Sequence, residues 1–181
     1  MKVAVISGSL RKESFNTKLA KAFIANAPTD VEAIFVPIDA LPLFNQDLEQ
    51  ELPAAVTALH ETVTGVDAVL LVTPEHNRSY SAAIKNALDW GSRPEGTNVW
   101  DGKAVAVAGC TPYTLGAFGA QTQLRQVFMY LNMQPVQQPE FYLDHAADRF
   151  DANGALTDEK TKQKITEVWT ALVVLAQKLT R

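Results

Sequence analysis

Four apolar runs decide most of what this chain can fold into. Lys2–Ser7, Val31–Pro37, Ala68–Thr73 and Ala104–Gly109 are built mainly of Val, Ile, Leu and Ala, with little polar alternation. A strand with one wet face alternates apolar and polar residues. A strand without that alternation is covered on both faces, the condition of a parallel sheet between helices. A weaker fifth run lies near Met133–Gln137. Stretches with helical spacing fall between and after the runs, at Asn16–Ala27, Pro53–Gly65, Ser81–Gly91, Gly119–Asn132 and Asp158–Leu179. In the last of these, Ile165, Val168, Trp169, Leu172, Leu175, Ala176 and Leu179 make one apolar stripe for packing on the sheet. Strand–helix alternation calls for right-handed crossovers and an α/β, doubly wound sheet.

Five strands and five helices in 181 residues predict one domain over 1–181. Its expected form is a flavodoxin-like three-layer α/β/α sandwich around a five-stranded parallel sheet of order 2-1-3-4-5. The connection Pro37–Pro53 contains Leu41, Leu43 and Phe44, which need cover. It is expected to be an ordered surface loop near a site or a subunit contact. Asp151-Ala152-Asn153-Gly154 reads as a turn.

In open parallel sheets, ligands bind beyond the carboxyl ends of the strands where the strand order reverses. The first loop there, Gly8-Ser9-Leu10-Arg11-Lys12-Glu13-Ser14-Phe15-Asn16, runs from a buried strand into a helix start. Unpaired N–H groups at a helix start carry partial positive charge and attract anions. Ser9, Ser14 and Asn16 add neutral donors and Arg11 a forked charged one. The loop lacks the Gly-Lys-Ser/Thr ending of a nucleoside triphosphate site and the second and third glycines of a dinucleotide fingerprint. The competing reading is a strand-to-helix turn whose Ser and Asn merely cap the helix. The second loop, Thr73-Pro74-Glu75-His76-Asn77-Arg78-Ser79-Tyr80-Ser81, offers backbone groups and the Asn77 amide to a flat heterocycle. The third, Gly109 to Gly119, carries three glycines, Thr111 and Thr114 as hydrogen-bonding groups, and Tyr113 to line an aromatic ligand. One phosphate site plus two loops suited to a planar ring suggests a mononucleotide, with flavin mononucleotide (FMN) the best match.

Charge and composition remove other classes. A net charge of −4 with scattered Lys and Arg leaves no basic stripe, so no nucleic acid partner is expected. Apolar stretches such as Val69–Val72 are far too short to span a bilayer, so no membrane insertion is expected. Met1-Lys2 leads straight into a strand without a leader pattern, and the single Cys110 allows no intrachain disulfide. The expected location is cytoplasmic. His60, His76 and His145 show no paired ligand spacing, so no metal is expected.

Gly8-Ser9-Leu10-Arg11 through Ser14-Phe15-Asn16, with Pro74-Glu75-His76-Asn77 and Lys85-Asn86-Ala87-Leu88-Asp89-Trp90, resembles the NADPH-dependent FMN reductase family. Within that family the chain is similar to the bacterial quinone and chromate reductase branch, and the likeness extends over Asn45-Gln46-Asp47 and Leu124-Arg125-Gln126-Val127. The resemblance implies tightly bound FMN and two-electron transfer from NADPH or NADH to quinones or similar small acceptors such as chromate, azo compounds or free flavin. It also implies a homodimer or homotetramer with flavin near the subunit interface. Carried over by position, Ser9, Arg11, Ser14, Phe15 and Asn16 would hold the phosphate. Pro74, Glu75, His76 and Asn77 would border the ring and ribityl chain, and the loop with Thr111, Thr114 and Gly116 would close over the ring. His76 stands where the family usually has Tyr, and Ser81-Ala82 where Pro-Gly is common.

The chemistry expected is hydride transfer from nicotinamide to flavin N5 and onward to an acceptor in the same open site. No side chain is required as an obligatory acid or base, because the cofactor carries the hard step. A non-enzymatic electron carrier of flavodoxin type is disfavoured by the mild charge and by Arg11. An FMN-binding regulatory module remains the other alternative. Glu75 fits backbone ligation better than acid catalysis, Cys110 a small buried residue, and Lys85 and Asp89 an i,i+4 pair.

Overall fold

The computed structural model describes residues 1–180. It shows a parallel sheet with helices on both faces. Strands β1 (Lys2–Ser7), β2 (Glu32–Phe35), β3 (Ala68–Val72), β4 (Ala104–Cys110), β5 (Gln134–Pro135) and β6 (Phe141–Leu143) alternate with helices α1 (Phe15–Ala25), α2 (Ala54–Thr64), α3 (Ala82–Trp90), α4 (Phe118–Tyr130) and α5 (Glu159–Leu179). The strand order is β2-β1-β3-β4-β5, with β6 also paired to β4. This is the flavodoxin-like order. Helix ends differ from the sequence reading by no more than two residues, the usual uncertainty of frayed termini.

Two expectations about the strands need correction. The fifth position holds two short strands in place of one, so the sheet has six strands. Gln134–Pro135 pairs with Ala104–Val105, and Phe141–Leu143 pairs with Ala108–Cys110. Between them Gln137 and Gln138 are exposed and Pro139 has no N–H to donate, so the ladder cannot continue. At the opposite edge β2 is only half-buried, so its side chains are not covered on both faces as the inner strands' are.

Alternate residues along each inner strand feed two separate cores. Val3 and Val5 join Leu70 and Val72 against Leu19 and Phe23 of α1 and Ile165, Trp169 and Leu172 of α5. Ala4 and Ile6 join Val69 and Leu71 against α2, α3 and α4 through Val56, Leu59, Ile84, Leu88, Leu124 and Phe128. The three tryptophans are buried, and each indole N–H reaches a carbonyl: Trp90 that of Pro42, Trp100 that of Leu88 and Trp169 that of Phe23. Burial accounts for Trp90 and Trp100 without a pocket role. The α5 stripe is shorter than its spacing suggests, since Leu175 is half-buried and Leu179 exposed.

The 37–53 connection is ordered, with a 3₁₀ turn at Gln46–Glu49. Phe44 meets Trp90 edge-on at 4.9 Å. Its N–H donates to Asn86 Oδ1, and Asn86 Nδ2 donates to the Pro42 carbonyl. The loop therefore lies on α3 through Pro42 and Phe44, while its start, Pro37 to Asp39, lines a cavity together with Ser9 to Lys12 of the first loop. No helix among the described residues is long and apolar enough to cross a membrane.

Candidate functional site

The strand order reverses between β1 and β3. The register places Ser7 beside Val72 and Val72 beside Ala108, so the loops leaving β1, β3 and β4 start side by side. They enclose a cavity of about 200 Å³. Its walls are Ser9, Arg11, Ser14, Phe15 and Asn16 on one side, and Pro74, Glu75, His76 and Cys110 to Tyr113 on the other. A second cavity of about 290 Å³ adjoins it, lined by Glu75, Asn77, Arg78, Thr111 and Tyr113 to Leu115. Glu75, Thr111 and Tyr113 border both, so the two form one trough.

Each residue of the first loop has a distinct job. Ser14 caps α1, its Oγ accepting from the N–H groups of Asn16 and Thr17 at 3.1 and 3.4 Å. Capping and ligand binding are not exclusive, because the hydroxyl hydrogen remains to be donated. The N–H groups of Leu10, Arg11 and Phe15 find no backbone acceptor among the described residues. The Phe15 amide is an orphan donor of the helix start, and those of Leu10 and Arg11 belong to the loop before it. Arg11 is exposed, with its guanidinium carbon 5.9 Å from the centre of the Phe15 ring.

Asn16 has a structural part beside its expected one. Its Nδ2 donates to the Cys110 carbonyl and its Oδ1 accepts the Cys110 N–H, both at 3.0 Å. The amide stitches α1 to the end of β4, and its second Nδ2 hydrogen is still available in the cavity that Asn16 lines. Burial pushes the Cys110 thiol well above the ordinary cysteine range, which makes it an inert packing residue at the floor of the first cavity.

The second loop is a tight hairpin. His76 and Ser79 exchange both backbone hydrogen bonds at 2.9 Å, with Asn77 and Arg78 at φ 50° and 67° between them. His76 therefore has no backbone group to spare, and it borders the first cavity with its exposed ring. Glu75 points inward, its side chain 7% exposed, and binds the start of α4. Nothing in its local sequence advertises this. The available signal lies on the other side: α4 opens on Ala117 with no side-chain cap of its own, so a partner has to come from elsewhere.

The third loop is tied to the segment after β6. The Thr111 N–H donates to the Leu143 carbonyl, the Ala146 N–H to the Thr111 carbonyl, and Thr111 Oγ1 to the Tyr113 carbonyl. Thr114 reaches only the second cavity. Gly116 lines neither. It sits at φ 56°, where an added Cβ would stand 2.8 Å from Tyr142 C and Leu143 N, so it is a packing glycine against β6. Lys85 and Asp89 pair at 2.6 Å, on the rim of a separate cavity of about 520 Å³ with Phe44, Tyr80, Arg93 and Tyr130.

A profile of the NADPH-dependent FMN reductase family matches residues 1–148. The chain is 44% identical over 163 residues to a 2-hydroxy-1,4-benzoquinone reductase of a Burkholderia species, covering 90% of this chain and 89% of that one. It is 47% identical over 158 residues to a quinone reductase of Pseudomonas putida, covering 87% and 85%. Among solved structures it is similar to the flavoenzyme NAD(P)H:(acceptor) oxidoreductase FerB of Paracoccus denitrificans, with a TM-score of 0.91 and 40% identity over 98% of this chain and 97% of that one.

Proposed function

This chain belongs to the NADPH-dependent FMN reductase family, and from that premise we propose how its trough performs the work of an FMN-dependent NAD(P)H oxidoreductase that reduces quinones or similar acceptors. The observation that carries the reading is the pairing of an anion site with a ring-sized continuation. The unpaired Arg11 and Phe15 amides, the Ser9 and Ser14 hydroxyls and the exposed Arg11 guanidinium lie at one end. The donor set fits a phosphate dianion. The continuation between the 75–80 hairpin and Thr111–Leu115 is bordered by Tyr113, an aromatic face suited to a flat ring. The residues present therefore fit FMN.

When bound, FMN supplies acceptance of hydride from NAD(P)H and its delivery to the acceptor. The protein's own share is positional. Ser9, Ser14, Asn16, the Arg11 guanidinium and the Arg11 and Phe15 amides would anchor the phosphate, while Pro74 and Cys110 to Pro112 wall the first cavity. His76 borders the same cavity with its exposed imidazole.

The finer reading of the assembly is a homodimer or homotetramer. It is supported by Met129 and Tyr130, which end α4 79% and 88% exposed, and by Leu43, 81% exposed. Large apolar side chains in that state favour cover by another surface. Steady-state oxidation of NADH and NADPH by FMN-loaded protein across a panel of quinones, chromate, azo compounds and free flavin tests the activity. Acceptor-dependent oxidation is the expected result, and flavin that binds but is not bleached by either nucleotide would falsify the enzymatic reading. Light scattering at micromolar concentration, giving two or four times the 19.8 kDa chain mass, is the result expected for the assembly.

A further inference from the structure

The hairpin after β3 and the loop after β4 both border the second cavity, so their relative position sets its shape. Glu75 joins them. Its Oε2 accepts the N–H of Gly119 at 2.8 Å and of Ala120 at 3.3 Å, and its Oε1 accepts Arg78 Nη1 at 3.1 Å. Helix α4 needs this partner, because Ala117 at its N-cap is left-handed and makes no side-chain cap. Gly119 leaves the room: a Cβ there would stand 3.2 Å from Glu75 Oε2 and 3.1 Å from the Arg78 carbonyl oxygen. One turn further on lies a second clasp. Gln123 Nε2 donates to the Arg78 carbonyl at 2.9 Å, and Gln123 Oε1 accepts the Ser79 hydroxyl at 2.7 Å. Two successive left-handed residues without glycine, Asn77 and Arg78, persist only where their surroundings fix them.

We propose that Glu75 is a positioning residue whose carboxylate, seated in the N-terminus of α4, locks the 75–80 hairpin against the 111–117 loop and so preforms the cavity between them. Both of its oxygens are spent as acceptors, and the negative charge is stabilised by the helix start it caps. The clasp gives Glu75 a positioning role in place of an acid–base one. The cavity's occupant rests on the FMN reading, but the clasp is a property of the protein alone. If release of the hairpin leaves the binding-competent arrangement roughly 1–10% populated, FMN affinity falls by about ten- to hundredfold.

The test combines hydrogen–deuterium exchange on flavin-free protein with FMN titration followed by fluorescence quenching. It uses the full chain and its Glu75→Ala, Glu75→Gln and Gln123→Ala variants. Glu75→Ala should exchange faster in 75–80 and 117–121, keep its protection in β1 and α5, and bind FMN at least tenfold more weakly. Glu75→Gln retains an acceptor oxygen for Gly119 and should recover most of both. Wild-type exchange in those segments together with FMN affinity within twofold in Glu75→Ala overturns the proposal. So does a Glu75→Gln protein that binds FMN normally but turns over a hundredfold more slowly, since that behaviour marks a proton donor. Should Glu75→Ala unfold globally, Gln123→Ala decides: faster exchange confined to 76–80 supports the clasp, and unchanged exchange there contradicts it. Wild-type protein that shows the exchange pattern yet never binds FMN supports the clasp and removes the FMN reading.

Discussion

Replacing Asn16 with Ala measures how strongly the start of α1 is held against the end of β4. The Asn16 side chain makes two hydrogen bonds of 3.0 Å to the N–H and C=O of Cys110, a residue 1% exposed. Truncation leaves both Cys110 groups buried without partners, and each such group costs about 1–3 kcal/mol. The sum is roughly 2–6 kcal/mol, a large share of the stability of a domain this size. At about 2–4 °C per kcal/mol, the midpoint of thermal unfolding should fall by roughly 4–24 °C. Urea unfolding of flavin-free protein, followed by circular dichroism, measures the loss directly, and the m-value should not change. Asn16→Asp should be at least as damaging, because a carboxylate can accept from the Cys110 N–H but only repels its carbonyl. A midpoint lowered by less than about 2 °C in Asn16→Ala would refute the reasoning.

Arg11→Ala should behave in the opposite way. Its side chain is exposed, so stability should stay within about 0.5 kcal/mol, while loss of one charged hydrogen-bond donor should weaken FMN by roughly 10- to 150-fold in a fluorescence titration. Asp158 caps α5 through Thr161, and hydrogen bonds from the Thr161 hydroxyl and N–H hold its carboxyl below the ordinary aspartate range. Because the folded state favours the charged form, that stabilisation is complete above about pH 4 and is lost as pH falls through the lowered native value. Asp158→Ala should therefore cost about 1 kcal/mol at neutral pH and progressively less in acid, as read from urea midpoints at several pH values. Cys110, buried and with its thiol pushed up, should resist alkylation at pH 8 in native protein and react promptly in denaturant.

The sheet order is legible in the sequence because the inner strands are apolar on both faces, a pattern that few arrangements besides a covered parallel sheet require. The fifth position is harder. Phe141-Tyr142-Leu143 does alternate, with Phe141 and Leu143 buried, but three residues are too few to stand out from a loop. The place of Ser9, Arg11 and Ser14 on a cavity wall is legible, since the loops that leave the strands where the order reverses meet there. The structural half of the Asn16 role is hidden, because its partner Cys110 lies 94 residues away. Gly116 and Thr114 differ for a similar reason: which way a loop residue faces is set by contacts with β6 that local sequence does not encode. Glu75 suggests backbone ligation by its place in the loop, whereas the structure spends its side chain on a helix that starts more than 40 positions later.

Recognition of the flavin phosphate by the turn after β1 is the claim on which the functional reading stands. Titrating the flavin-free protein with FMN and with riboflavin, which has the same ring and no phosphate, tests it directly. FMN should bind at least about a hundredfold more tightly, the scale of two decades at 1.4 kcal/mol each. Equal affinity for the two would contradict the assignment of that turn.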